Sequence, residues 1–340
     1  MKRASVLILS VLLAGCDTLA YYGQAVHGQL ELVRSARPVA EVLEDPATPA
    51  KLRAQLQLAG SIRDFAVRTL ALPDNDSFRR YVELGRAFPV WNVVSAPEFS
   101  VKPVRSCFPV AGCVSYRGFF AREEAERFAR ARAGEGHDVH SYGVPAYSTL
   151  GWFADPLLSS FIGYADAELA RLVFHELAHQ VVYVTDDTTF NESFAVAVEE
   201  EGVLRWLTAQ GRVQDLAGFR AAQARKTAFV ELVAGTRARL EAVYASKAPV
   251  EVTRERKRAE FAAMAARYVA LKASWGGFAG YDRLMAAPNN ALIASISTYT
   301  GQVPGFRRLL ADAGGDFARF YDKVRALAAL PAAERKAALE

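Results

Sequence analysis

Apolar residues recur at three- and four-residue intervals over residues 19–44 and again over 49–71, with Pro46 and Pro49 between the two stretches and Pro73 after them. That spacing gathers them on one helical face, so a helical hairpin is expected within 17–88. The pattern changes at Pro89. Residues 90–94 and 116–120 are β-branched and aromatic runs bounded by proline and glycine, and read as strands. A charged helix is expected over about 121–133, then two more strands, 138–144 and 147–153, separated by Pro145. Helical periodicity then continues to the C-terminus, with breaks near Asp186, Gly211, Pro249, Gly276 and Pro304. The basic run 254–258 inside one of these helices reads as a solvated face. No repeat or long linker divides the chain, which predicts one domain over 16–340 with an α+β, predominantly α-helical fold and a small mixed or antiparallel sheet. Within it, 17–88 is the hairpin, 89–210 the sheet with the chemically interesting helices, and 211–340 a C-terminal helical part.

Composition narrows the function classes. The 340 residues are 51% hydrophobic and 23% charged, enough for a sizeable core, and the scattered 11% of aromatic residues excludes a disordered or collagen-like chain. Lysine and arginine number 41 against 37 acidic residues. That balance does not supply the concentrated basic face that nucleic acid requires.

The N-terminus has the character of an address. Lys2 and Arg3 precede an apolar run over 6–14 that is too short to span a bilayer, and Leu13-Ala14-Gly15-Cys16 follows. This resembles a bacterial lipoprotein signal. The resemblance implies that residues 1–15 are a signal peptide, that Cys16 becomes the acylated first residue, and that the rest is membrane-anchored in the cell envelope, facing the periplasm. The inner and outer membranes both remain open. Two further thiols, Cys107 and Cys113, sit around Pro109 and Gly112, residues suited to a tight reversal. An oxidising compartment favours a disulfide between them over two buried free thiols.

Catalytic chemistry is concentrated in His175-Glu176-Leu177-Ala178-His179. Two histidines four residues apart on a helix point from one face and can converge on a tetrahedral ion, while Glu176 is turned about 100° away toward the open coordination position. Zinc hydrolysis uses that division: the metal acidifies water and polarises a carbonyl, and the carboxylate moves the proton. Leu169, Leu172, Val173, Leu177, Val181 and Val182 form the helix's apolar body, with Asp166 a candidate cap. No histidine follows His179, so a carboxylate must be the third ligand. Glu192, at the start of the next helix with Asn191 or Thr189 as cap, can return to the pair across a short loop. Asp186 and Glu199 are the next candidates.

Here the sequence resembles known families. His-Glu-Leu-Ala-His followed by Asn191-Glu192-Ser193-Phe194-Ala195 is similar to the gluzincin metallopeptidases, and the second segment to the Asn-Glu-Gly-Phe-Ala of the M1 aminopeptidases. The spacing to the glutamate is shorter than in M1 enzymes, and their Gly-x-Met-x-Asn motif is absent. A closer resemblance, over nearly the whole mature chain, is to the bacterial family of predicted aminopeptidases, through 107–120, the Tyr-Ser-Thr-Leu-Gly-Trp-Phe-Ala-Asp-Pro-Leu-Leu run 147–158, the zinc motifs, and Pro288-Asn289-Asn290-Ala291 with Tyr299. The resemblance implies a zincin-like core holding one zinc ion on His175, His179 and Glu192. It further implies Glu176 as general base, Tyr299 as a catalytic oxyanion donor, and a cleft-edging strand with Tyr147, Thr149 and Gly151 in contact with peptide substrate. Glu199 is expected either to bind the substrate amine or to orient a histidine, against a merely solvated acidic turn.

The expected function is therefore a zinc-dependent aminopeptidase cleaving short peptides in the envelope. The alternatives are an envelope endopeptidase and a non-catalytic lipoprotein braced by zinc. An aminopeptidase needs a closed subsite with an anion for the free amine, and an endopeptidase a groove open at both ends.

Overall fold

The computed structural model describes residues 21–108, 112–146 and 148–340. The expected signal peptide and the expected lipidation site Cys16, together with Pro109 and Tyr147, lie outside the described residues. The predominantly helical α+β expectation holds.

Helical residues 21–35 (α1) lead through β1 (Arg37–Pro38) and α2 (Val39–Glu44) to α3 (Ala50–Leu70). The expected first helix of the hairpin is thus interrupted. Pro38 cannot continue a helical ladder, and Arg80 donates from its guanidinium to the freed Ala36 carbonyl. Buried Leu56, Ala59, Ile62, Ala66 and Leu70 run down one face of α3 at helical spacing and enter the main core.

Next come β2 (Arg80–Val82), β3 (Val90–Pro97), the hairpin β4 (Ser106–Phe108) and β5 (Gly112–Val114), β6 (Arg117–Phe119), α4 (Arg122–Gly134), β7 (His137–Val144) and β8 (Leu157–Leu158). β3 is the centre of an antiparallel sheet in the order β6-β3-β7. β1, β2 and β8 form a second small sheet, with β2 and β8 parallel. Cys107 and Cys113 face each other across the β4–β5 hairpin and are joined by a disulfide.

The expected strand over 147–153 is not formed. Its described part, 148–153, is irregular and turns, with Leu150 and Gly151 at φ of 56° and 81°. Asp155 takes the backbone N–H and hydroxyl of Thr149, and the Thr149 hydroxyl oxygen accepts the Phe153 N–H. These local side-chain bonds occupy groups that a ladder would need, and so override the β propensity of the aromatic residues.

The rest is helical: α5 (Asp166–Ala178), α6 (Thr188–Ala209), α7 (Val213–Ala245), α8 (Val250–Ser274), α9 (Asp282–Met285), α10 (Asn290–Thr300), α11 (Val303–Asp312), α12 (Phe317–Ala328) and α13 (Ala332–Leu339). Sixteen of the 22 residues of α6 are buried, so it is a central helix with neighbours on every side. α3 and α5 pack against it, α11 and α12 supply Phe306, Phe320 and Tyr321, and α10 bridges it to β3 and β7. α5 and α6 approach closely at Gly202, where a Cβ would lie 2.7 Å from the Phe174 ring and 2.8 Å from Leu70.

The long α7 and α8 build a second apolar cluster around Phe229, Leu240, Met264 and Tyr268. The basic run on α8 is not simply solvated. Lys257 is 12% exposed and reaches the Asp138 carboxylate at 2.7 Å, while Arg254 pairs with Glu98 at 2.6 Å, so the run clamps α8 to the β3–β7 side.

Candidate active site

The end of α5 and the start of α6 meet over the central sheet, and each helix contributes donors there. The Nε2 atoms of His175 and His179 are 3.2 Å apart, and Glu192 Oε2 lies 3.3 Å from the first and 3.6 Å from the second. These three atoms form the one candidate metal cluster among the described residues. A tetrahedral zinc with nitrogen and oxygen ligands at about 2.0–2.1 Å has ligand-to-ligand edges of about 3.3–3.4 Å. The donor triangle is therefore already of the size such an ion needs.

Glu192 stands beside the histidine pair as expected, but the helix ends that bring it there are built differently. α5 ends at Ala178, and His179 is its C-cap residue. Asp166 does not cap α5; Ala165 holds that position, and Asp166 pairs with Arg212 instead. Asp187, rather than Asn191 or Thr189, caps α6 by accepting the Phe190 N–H. Asn191 has another task. Its side-chain oxygen accepts the Val184 N–H and its amide donates to the Val184 carbonyl, both at 2.8 Å, which pins the loop between the two helices that carry the donor triangle.

A further layer orients the first. Glu199 is 1% exposed and its Oε2 lies 2.8 Å from His175 Nδ1 and 2.9 Å from Arg171. With Nδ1 held, His175 presents Nε2 to the donor triangle, the carboxylate–histidine pattern common behind zinc ligands. Glu199 does not line the cavity, so the expectation that it touches substrate gives way to the orienting role, and its burial rules out a solvated acidic turn. Asp186 is not a ligand either: its side chain is 57% exposed and accepts from the Cys113 N–H.

The donor triangle opens into a cavity of about 280 Å³ walled by α1, the β3–β6–β7 sheet, the turn after β7, α5, α6 and α10. Glu176 faces it. Burial lifts the Glu176 carboxyl above its ordinary range, the two histidines pull it back, and Glu192 and Asp155 push it up again. Tyr116, Tyr183 and Tyr299 also line the cavity. Burial raises all three phenol pKa values and the Glu192 charge raises them further, so each hydroxyl keeps its proton.

Of the expected substrate residues, Thr149 and Gly151 do not reach the wall; Ser148 and Leu150, their neighbours, do. The reason is the turn described above, which directs Thr149 onto Asp155. Sequence reasoning missed Tyr116, Tyr183 and Asn92. The only signal for Tyr183 was its place four residues beyond His179, and Asn92 is hidden inside a β-prone run.

The family model described as "Putative aminopeptidase" matches residues 20–339. No curated protein matches the chain, and no solved structure does.

Proposed function

The chain belongs to the "Putative aminopeptidase" family, and from that membership we propose a zinc-dependent peptidase of gluzincin type, held in the bacterial envelope by a lipid on Cys16. The observation that carries the metal reading is the donor triangle, whose 3.2, 3.3 and 3.6 Å edges suit one tetrahedral zinc on His175, His179 and Glu192. Bound there, zinc would supply a Lewis acid for the scissile carbonyl and acidify an attacking water.

The chain's own groups do the rest. Glu176 takes the proton of the attacking water and passes it to the departing nitrogen, and its raised pKa suits a base that must also act as an acid. Tyr299, kept protonated, can donate to the developing oxyanion, with Tyr116 and Tyr183 beside it. Glu199 and Arg171 keep His175 in one orientation. A purely structural brace would have no use for Glu176 facing the cavity, which argues against the non-catalytic alternative.

One observation favours an endopeptidase as second reading. Among the described residues, Glu176 and Glu192 are the only carboxylates lining the cavity, and both already have other work. A free amine would find no anion of its own.

Metal analysis and paired peptides test these readings. About one equivalent of zinc and strong preference for free over N-acetylated peptides support the aminopeptidase; equal cleavage of both supports the endopeptidase. Below about a tenth of an equivalent after reconstitution, both fail. Radiolabelled palmitate incorporated into the parent, and lost in Cys16→Ser, tests the anchor.

A further inference from the structure

Five exposed large apolar side chains lie on two segments that border the cavity. Val26, Leu30 and Val33 repeat at helical spacing along α1 and are 58%, 41% and 39% exposed; Trp152 and Phe153, on the turn after β7, are 73% and 49% exposed. α1 and this turn are neighbours. Tyr21 and Ala25 share the cavity wall with Ser148 and Leu150, and Val33 shares a smaller hollow with Asp155 and Pro156.

The other face of α1 is committed to the protein. Leu32 and Ala36 enter the main core, Gln24 accepts the Phe120 N–H at 2.9 Å, and Gly28 sits where a Cβ would strike the Phe120 ring at 2.3 Å. The outer stripe is therefore left largely uncovered by the fold. An apolar helix stripe next to an exposed tryptophan and phenylalanine is the composition of a surface that lies in the interfacial layer of a bilayer.

The path of the chain selects that partner. Only residues 17–20 separate Cys16 from Tyr21, the first described residue of α1. Five Cα-to-Cα steps span at most about 18 Å, less than the roughly 22 Å length of a 15-residue helix. A lipid on Cys16 would thus hold α1 at the membrane, and four residues are too few to cover five large side chains.

We propose that the Val26, Leu30 and Val33 stripe and the Trp152–Phe153 turn seat in the interfacial layer of the membrane and keep the rim of the cavity at its surface. The choice of partner rests on the lipid-anchor reading of Cys16. Tryptophan fluorescence of the full lipidated chain on phosphatidylcholine–phosphatidylglycerol vesicles with brominated acyl chains tests it. The emission that Trp152 contributes, obtained by subtracting a Trp152→Phe variant, should be quenched, and Val26→Glu with Leu30→Glu should abolish that quenching without changing the melting temperature. A protein that floats with the vesicles while Trp152 stays unquenched overturns the proposal. So does self-association in solution that Leu30→Glu abolishes, which would make the stripe an interface between copies. Failure of the anchor reading is seen separately, as Cys16→Ser floating as well as the parent.

Discussion

Glu199 grips the Nδ1 of His175 at 2.8 Å while Glu192, two turns earlier on the same helix, lies 3.3 Å from the Nε2 of that ring. One imidazole is thus held from both sides by carboxylates seven residues apart, a separation that places them on one face of α6. The rotational register of a single helix places both carboxylates against one imidazole.

Glu199→Gln should therefore weaken zinc binding without touching the donor triangle. Loss of such an outer partner costs roughly 10–100-fold in metal affinity or activity. Competition with a chromophoric chelator measures it. An unchanged affinity would mean that His175 is oriented by packing alone.

Glu176→Gln and Glu192→Gln should fail differently. The first keeps zinc but cannot accept a proton, so turnover should fall roughly a hundredfold to ten-thousandfold. The second loses an anionic donor, so zinc affinity itself should fall and excess zinc should partly restore activity. Rescue of Glu176→Gln by zinc would refute its role as base.

Zinc uptake should release a proton. In the metal-free chain, burial opposes the charged form of His175, yet its bonds to Glu192 and Glu199 raise its pKa from 6.5 to about 10. Zinc needs the neutral ring, so loading near pH 7 must displace that proton, and affinity should fall as pH falls. Titration in a weakly buffered indicator solution reads the release directly.

The metal-free chain should itself show a pH window of stability. A raised histidine pKa contributes stability that is complete below 6.5 and is lost as pH rises through about 10. Burial opposes ionisation of Glu192 and Glu199, but His175 and His179 around the first, and Arg171 and His175 around the second, lower both to about 2. Their contribution is present above 4.5 and is lost as pH falls toward 2. Melting temperature in chelator should thus peak between pH 4.5 and 6.5; a steady rise from pH 5 to 10 would contradict this.

Gly202→Ala sets two effects against each other. Alanine gains about 1 kcal/mol of helix propensity, but its Cβ would meet Phe174 at 2.7 Å and Leu70 at 2.8 Å, and overpacking costs about 1–3 kcal/mol. The net should be destabilising, seen as a lower urea midpoint. Cys107→Ser should destabilise too, by about 2–3 kcal/mol for so small a loop. The hairpin it opens also holds Asp186, in the loop between His179 and Glu192.

Sequence alone determined what local spacing encodes. The interval from His175 to His179 needs only a helix to bring both rings to one side, and the β-prone runs over 90–94 and 138–144 need only neighbours to become β3 and β7. Tertiary structure decided what depends on partners distant in the chain. Glu199 is buried against His175 because Arg171 and Lys226 offset its charge there, which the acidic run 199–201 could not disclose. Residues 148–153 turn because Asp155 captures Thr149, and a propensity scale does not register that competition. Tyr116, Tyr183 and Tyr299 meet around Glu192 only when the sheet, the inter-helix loop and α10 have packed, since the convergence of three segments so far apart is a property of the folded core and of no local pattern.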